Sequence, residues 1–195
     1  MYLHSGYVDD LILCSKEEKD YDEIVHLSQE VEVKELGVIT YYLGVQVERE
    51  DGIYLHSPKQ KVLEFLEYMQ MKNCKPADTP MEVNYLKQQG NGELLPNNKQ
   101  YREAFGKLLY ISTLTSPDIA AAVGMLCRKS ESPNKRDWNA VKRLAKYLNG
   151  TMHLKLKLPT SHNPRLVGYI DADWAGEKVY QWTFILLWQQ SSELE

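Results

Sequence analysis

Three cysteines in 195 residues, Cys14, Cys74 and Cys127, are too few and too far apart for a disulfide framework, and no CxxC or Cys/His spacing offers zinc a site. They are expected to be reduced thiols. The five histidines, His4, His26, His56, His153 and His162, are scattered, and none has another at i+4 to make a helical metal pair. Long hydrophobic runs are also missing. A run such as Phe184 to Trp188 falls far short of the ~20 residues a spanning helix needs. The N-terminus lacks the charged-then-apolar layout of a signal peptide, so no membrane partner is expected and an intracellular address, cytoplasmic or nuclear, is the expectation. No nucleophile elbow, phosphate-cradling glycine loop or HExxH occurs, which leaves hydrolase, kinase and zinc-protease chemistry without starting residues. A hydrophobic fraction of 43% and a charged fraction of 26% exclude disordered and fibrous classes.

Charge is distributed unevenly. The formal net charge is −4, yet residues 1–57 set only Lys16, Lys19, Lys34 and Arg49 against thirteen carboxylates. Between Arg128 and Lys157 the balance reverses, and nine cations face only Glu131 and Asp137. A cation-seeking part thus precedes a phosphate-seeking part. Within the acidic part, Tyr7-Val8-Asp9-Asp10 places two adjacent carboxylates between apolar residues. Tyr7 and Val8 on one side and Leu11, Ile12 and Leu13 on the other read as short strands meeting at a hairpin whose tip carries both aspartates. Hard oxygen ligands at such a tip suit Mg²⁺ held jointly with substrate phosphates.

Further along, Lys16 to Val33 has helical spacing, with Ser15 as N-cap and Glu18 completing a capping box. Tyr41 to Glu48 alternates as a strand, Asp51-Gly52 signals a turn, and Ile53 to His56 returns. Ser57-Pro58-Lys59-Gln60 opens a helix with Val62, Leu63, Phe65, Leu66 and Met69 as its apolar face. Residues 72–98, rich in Asn, Lys, Pro, Gly and Gln, read as a long irregular connector. Three helices are expected after it: Tyr101 to Leu114, Pro117 to Lys129 with Ser116 as N-cap, and Asn134 to Leu148 closed by Asn149-Gly150. The last carries an apolar stripe, Trp138, Val141, Leu144, Ala145 and Leu148, and a basic remainder, Lys135, Arg136, Lys142, Arg143 and Lys146. Lys155 to Leu158 and Leu166 to Ile170 look like strands, the second leading into Asp171-Ala172-Asp173-Trp174. Asp171 and Asp173, at i and i+2, would share a strand face as a two-carboxylate hydrolase site requires; the alternative is a turn that begins at Asp173.

In this order the motifs resemble the reverse transcriptase region of copia-type (Ty1/copia) retrotransposon polyproteins, over nearly residues 6–176. Tyr7-Val8-Asp9-Asp10 resembles the family's YVDD box, and Leu36-Gly37 with Tyr42-Leu43-Gly44-Val45 resembles its "LG…YFLG" segment. Residues 73–81 resemble the "C-x-P-x-x-TPM" junction, Tyr101 to Tyr110 the "YR…GxLLY" block, Thr115 to Ile119 "TRPDI", Tyr147 to Thr151 "YLKGT", and Gly168 to Gly176 the "GYxDADWAG" start of RNase H. Two departures stand out: Ser116 replaces the arginine of "TRPDI", and residues 179–188 have no counterpart in the family's "STSGY" continuation.

The resemblance implies an RNA-directed DNA polymerase of α+β class, a partial palm of β-hairpins plus a helix (1–57), a helical thumb (58–152, with the connector at 72–98) and an incomplete RNase H-like β start with an atypical tail (153–195). It implies Asp9 and Asp10 as catalytic ligands of Mg²⁺ or Mn²⁺, and Asp171 as the first RNase H carboxylate. Tyr42, Leu43 and Gly44 would form a primer-grip-like hairpin, and Lys135, Arg136, Lys142, Arg143 and Lys146 would track a template-primer duplex. A third polymerase carboxylate lies upstream of YVDD in the family, so the expectation is a fragment, inactive alone, that needs an upstream polymerase portion. A non-catalytic nucleic-acid-binding module and a retrotransposon relic are the alternatives, and residues 179–188 are expected to pack awkwardly or associate.

Overall fold

The computed structural model of the chain describes residues 2–7, 10–15, 34, 36–50, 52–83, 85, 92–159, 165–173 and 180–189. Before residue 34 only the Ile12 side chain is described, and from Pro159 onward none is. These residues form three antiparallel sheets and four α-helices. No helix among them is long and apolar enough to cross a membrane.

Strands β1 (Tyr2–Tyr7) and β2 (Asp10–Ser15) pair from Tyr2↔Ser15 to Tyr7↔Asp10. The helix expected over Lys16 to Val33 lies outside the described residues. In the second sheet the order is β3 (Tyr41–Tyr42), β4 (Val45–Glu50), β5 (Ile53–Ser57) and β6 (Leu156–Pro159). Tyr41 to Glu48 is not one strand. Leu43 and Gly44, at φ 47° and 80°, turn the chain between the paired Tyr42 and Val45, a conformation that fits the right-handed twist of a two-residue hairpin. The second turn follows the sequence: Glu50 pairs with Ile53, and Gly52 takes φ 76°. Alternation sets which face is buried, with Val45, Val47, Leu55 and Ser57 inside and Gln46 outside.

Strand β6 joins this sheet, Tyr54 pairing with Leu158 and His56 with Leu156. That pairing supplies partners for N–H and C=O groups on the second edge of β5. The third sheet pairs β7 (Arg165–Asp173) with β8 (Tyr180–Gln189), and its register shifts between Arg165 and Leu166. Residues 180–189, the atypical tail, thus have a place as a strand, in keeping with their β-branched and aromatic content.

The core belongs to the helices α1 (Lys59–Tyr68), α2 (Lys99–Leu114), α3 (Ala120–Cys127) and α4 (Lys135–Thr151). From α1 come Val62, Phe65 and Leu66; from α2, Tyr101, Ala104, Leu108 and Ile111; from α4, Val141, Leu144, Ala145 and Leu148. Full burial of a leucine or phenylalanine side chain is worth about 1.5–3 kcal/mol, so this cluster dominates the stability of the unit.

Helix ends depart from the sequence reading where side chains find other partners. Ser57 gives only a long bond, 3.4 Å from Lys59 N, and Gln60 reaches forward to Glu64 instead of back into a capping box. Ser116 makes no side-chain cap; Pro117 to Ile119 form a 3₁₀ turn ahead of α3. At the start of α4 a full capping box forms: Asn134 Oδ1 accepts from Arg136 N and Asp137 N, and Asp137 Oδ2 accepts from Asn134 N. The helix runs through Asn149-Gly150 to Thr151 instead of stopping there.

Candidate functional site

Asp10 does not share a hairpin tip with Asp9 as the sequence suggests: it is the first residue of β2, its backbone paired with Tyr7, so only residues 8 and 9 lie between the paired positions. Asp9 is outside the described residues, and Asp10 is described by its backbone alone. Asp171 and Asp173 both lie in β7, opposite Trp182 and Tyr180, again without described side chains. Asp173 shares the strand with Asp171. Among the described residues no three His, Cys, Asp or Glu side chains converge on a point where a metal could sit.

The Tyr42-Leu43-Gly44 segment is built in detail. Leu43 holds a left-handed conformation that a branched, Cβ-bearing residue takes at a cost of about 1–2 kcal/mol. Tyr110 on α2 compensates by donating its hydroxyl to Leu43 O. Gly44 is required by contact as well as by φ: a Cβ there would stand 2.7 Å from Tyr110 Oη and 2.9 Å from Lys61 Cε. Lys61 in turn bonds Glu64 at 2.9 Å and lies 6.0 Å from the Tyr110 ring centroid. The Glu64 bond raises the Lys61 pKa and Lys61 lowers that of Glu64, while burial raises that of Tyr110. Beyond the turn, Lys61, Glu64, Tyr68, Glu103, Lys107 and Tyr110 line a groove of about 610 Å³ between α1 and α2. Tyr68 donates to Glu103 at 2.9 Å, and desolvation together with that bond pushes its pKa up to about 12.

The basic helix α4 does not present all five cations to solvent. The described residues of the connector run antiparallel along it as a strap. Cys74 O accepts from Asn149 Nδ2, Ala77 N donates to Lys146 O, Thr79 Oγ1 accepts from Arg143 Nη2, and Leu95 N donates to Pro133 O. Gly150 lets Pro76 close in, since a Cβ there would be 3.1 Å from Pro76 Cβ. Asn149-Gly150, a helix stop by local sequence, is thus a docking step for the strap. Midway, Tyr85 donates at 2.6 Å to Asp137, which is only 3% exposed; Arg136 donates to Tyr85 O at 2.7 Å and stacks on its ring at 5.0 Å. Desolvation and Asp137 raise the Tyr85 pKa well above the usual tyrosine value. Lys135 pairs with Glu93 at 2.6 Å. Lys142, near the Trp138 ring, and Lys146 are exposed on the same side, one turn apart.

Sequence reasoning passed over Tyr85, Asp137 and Lys61. Asn134-x-x-Asp137 was a readable cap, but nothing local announced its bond from Tyr85, fifty-two residues away. Several motif blocks meet each other in space: Tyr110 reaches Leu43, Asn149 reaches Cys74, and Tyr147 donates to Asp118 at 2.7 Å. That last bond, with burial, pushes the Tyr147 pKa up to about 12.

No family model matches the chain, and no solved structure does. Curated relatives do. The retrovirus-related Pol polyprotein from transposon TNT 1-94 of Nicotiana tabacum is 36% identical over 185 residues, covering 88% of this chain and 14% of its own length. That from transposon RE2 of Arabidopsis thaliana is 34% identical over 173 residues, covering 88% and 12%. An uncharacterized mitochondrial protein of Arabidopsis thaliana is 30% identical over 172 residues, covering 87% of the chain and 70% of that protein. The chain therefore spans less than one sixth of the two polyproteins, and it belongs to the family of retrovirus-related Pol polyproteins from copia-type transposons, matching one segment of them.

Proposed function

We propose that the chain is the closing part of a copia-type reverse transcriptase: palm end, primer-positioning turn, thumb, and the first strand of an RNase H-like unit. The observation that carries this reading is the Tyr7↔Asp10 register, which leaves a two-residue connection where the YVDD motif needs a tight hairpin. Asp9 and Asp10 would hold Mg²⁺ or Mn²⁺; adjacent hard oxygen donors fit such an ion. When bound, the ion would neutralise charge on the reacting phosphates. Asp171 would serve the RNase H site in the same way.

The turn at Leu43-Gly44, held by Tyr110, would fix the primer end. Lys142, Lys146 and the exposed Lys135 would supply phosphate contacts on the template-primer duplex, whereas Arg136 and Arg143 are engaged by the strap and would act by keeping α4 in place. By themselves the 195 residues are proposed to carry no polymerase turnover, because two carboxylates hold a divalent ion weakly.

The test is a chimera in which this chain replaces the matching segment of the tobacco relative. Primer extension with Mg²⁺ is expected, and Asp9→Asn or Asp10→Asn should each lower it more than about 100-fold while duplex binding persists. Undiminished synthesis in both variants would overturn the reading.

A further inference from the structure

Thr79 stands at the point where the strap crosses the middle of α4. It is exposed, precedes Pro80, and its hydroxyl lies 2.8 Å from Arg143 Nη2 while donating to Met81 O at 3.2 Å. The Nε of Arg143 is buried and has no hydrogen-bond partner among the described residues. Nε–H and one Nη2–H point from the same edge of a guanidinium, the edge that grips a phosphate or carboxylate with two parallel bonds. The neutral Thr79 hydroxyl supplies one acceptor, to Nη2. The second donor is left without one, which is costly for a charged group.

Four Ser/Thr-Pro dipeptides occur in the chain, at Ser57, Thr79, Ser116 and Ser132. Ser57 and Ser116 are buried, beyond the reach of a modifying enzyme. Ser132 is exposed, but among the described residues it receives no hydrogen bond from an arginine. Only Thr79 joins exposure, a following proline, irregular backbone and a guanidinium with an idle donor.

We infer that Thr79 is a phosphorylation site for a proline-directed protein kinase, and that its phosphate locks the strap onto α4 through Arg143. In the transfer, Oγ1 of Thr79 attacks the γ-phosphorus of ATP, the bond to the β–γ bridging oxygen breaks, ADP leaves, and the hydroxyl proton passes to the kinase's base. The dianionic product offers three acceptor oxygens to Nη2 and Nε of Arg143. Lys146, whose carbonyl already accepts from Ala77 N, adds positive charge one turn away; Asp78 beside Thr79 opposes it. The guanidinium decides the sign, because its bonds are paired and charge-assisted while the Asp78 carboxylate is exposed and screened.

The experiment treats the full 195-residue chain with a purified proline-directed kinase and ATP, maps phosphate by mass spectrometry, and follows amide hydrogen exchange over residues 74–95. The expected result is stoichiometric phosphate on Thr79 and exchange in the strap slowed about tenfold. Thr79→Ala should abolish both changes. Arg143→Ala and the milder Arg143→Lys should accept phosphate but lose most of the added protection, so a folding defect in one does not decide the outcome. No phosphate on Thr79 of the folded chain, or phosphate with unchanged protection, would overturn the proposal.

Discussion

Single residues here act through contacts that their neighbours in sequence do not reveal. Gly44→Ala should destabilise the chain by about 1–3 kcal/mol in urea titrations, since the new methyl meets Tyr110 and Lys61 and the backbone keeps φ 80°. Tyr110→Phe should cost about 1 kcal/mol, the hydrogen bond to Leu43 O alone. Tyr85→Phe should cost about 1–3 kcal/mol, because it takes a partner from the buried carboxylate of Asp137. Alkaline pH should act through tyrosines. Tyr68 and Tyr147 have folded-state values raised from 10 to about 12, so between those limits the unfolded chain releases protons that the folded one retains. Their contribution is complete below pH 10 and is lost as pH rises to about 12; stability measured by denaturant titration at stepped pH should fall across that window, and Tyr147→Phe should flatten part of the fall.

At the scale of elements, the strap and α4 behave as one piece. Asn149→Ala should loosen the strap near Cys74 without shortening the helix, a result readable as faster exchange around residues 74–77 with unchanged helical circular dichroism. Much of the element list was legible. The Asp51-Gly52 hairpin, the apolar face of α1 apart from Leu63, which is exposed, and the stripe of α4 follow from turn chemistry and periodicity, which are local. Helix stops and caps were less so. Asn149-Gly150 carries the composition of a stop, yet Asn149 is used to bind Cys74 and Gly150 to admit Pro76, so tertiary contact overrode the local preference. Residues 72–83, 85 and 92–98 were legible as irregular but not as docked, because their partners sit on or beside a helix up to seventy-five residues away.

For the whole molecule, charge asymmetry gives the clearest expectation. Lys142→Glu with Lys146→Glu should weaken binding to a primer-template duplex and reduce the slope of affinity against log salt by about 2, as two phosphate contacts are lost. Arg136→Ala should instead act mainly on stability, since its guanidinium bonds Tyr85 O and covers the Tyr85 ring. Fluorescence anisotropy at several salt concentrations separates the two. The order of motifs, a hairpin between Tyr7 and Leu13 and the position of the basic helix were determined by sequence alone, because turn geometry and helical period depend on near neighbours; that Asp10 opens β2 opposite Tyr7 was not. Which cations stay exposed, where β6 pairs and why Asn149-Gly150 does not end α4 were decided only by the tertiary structure. Each depends on a partner distant in the chain, and the need to satisfy buried donors and acceptors outweighs what the local residues prefer.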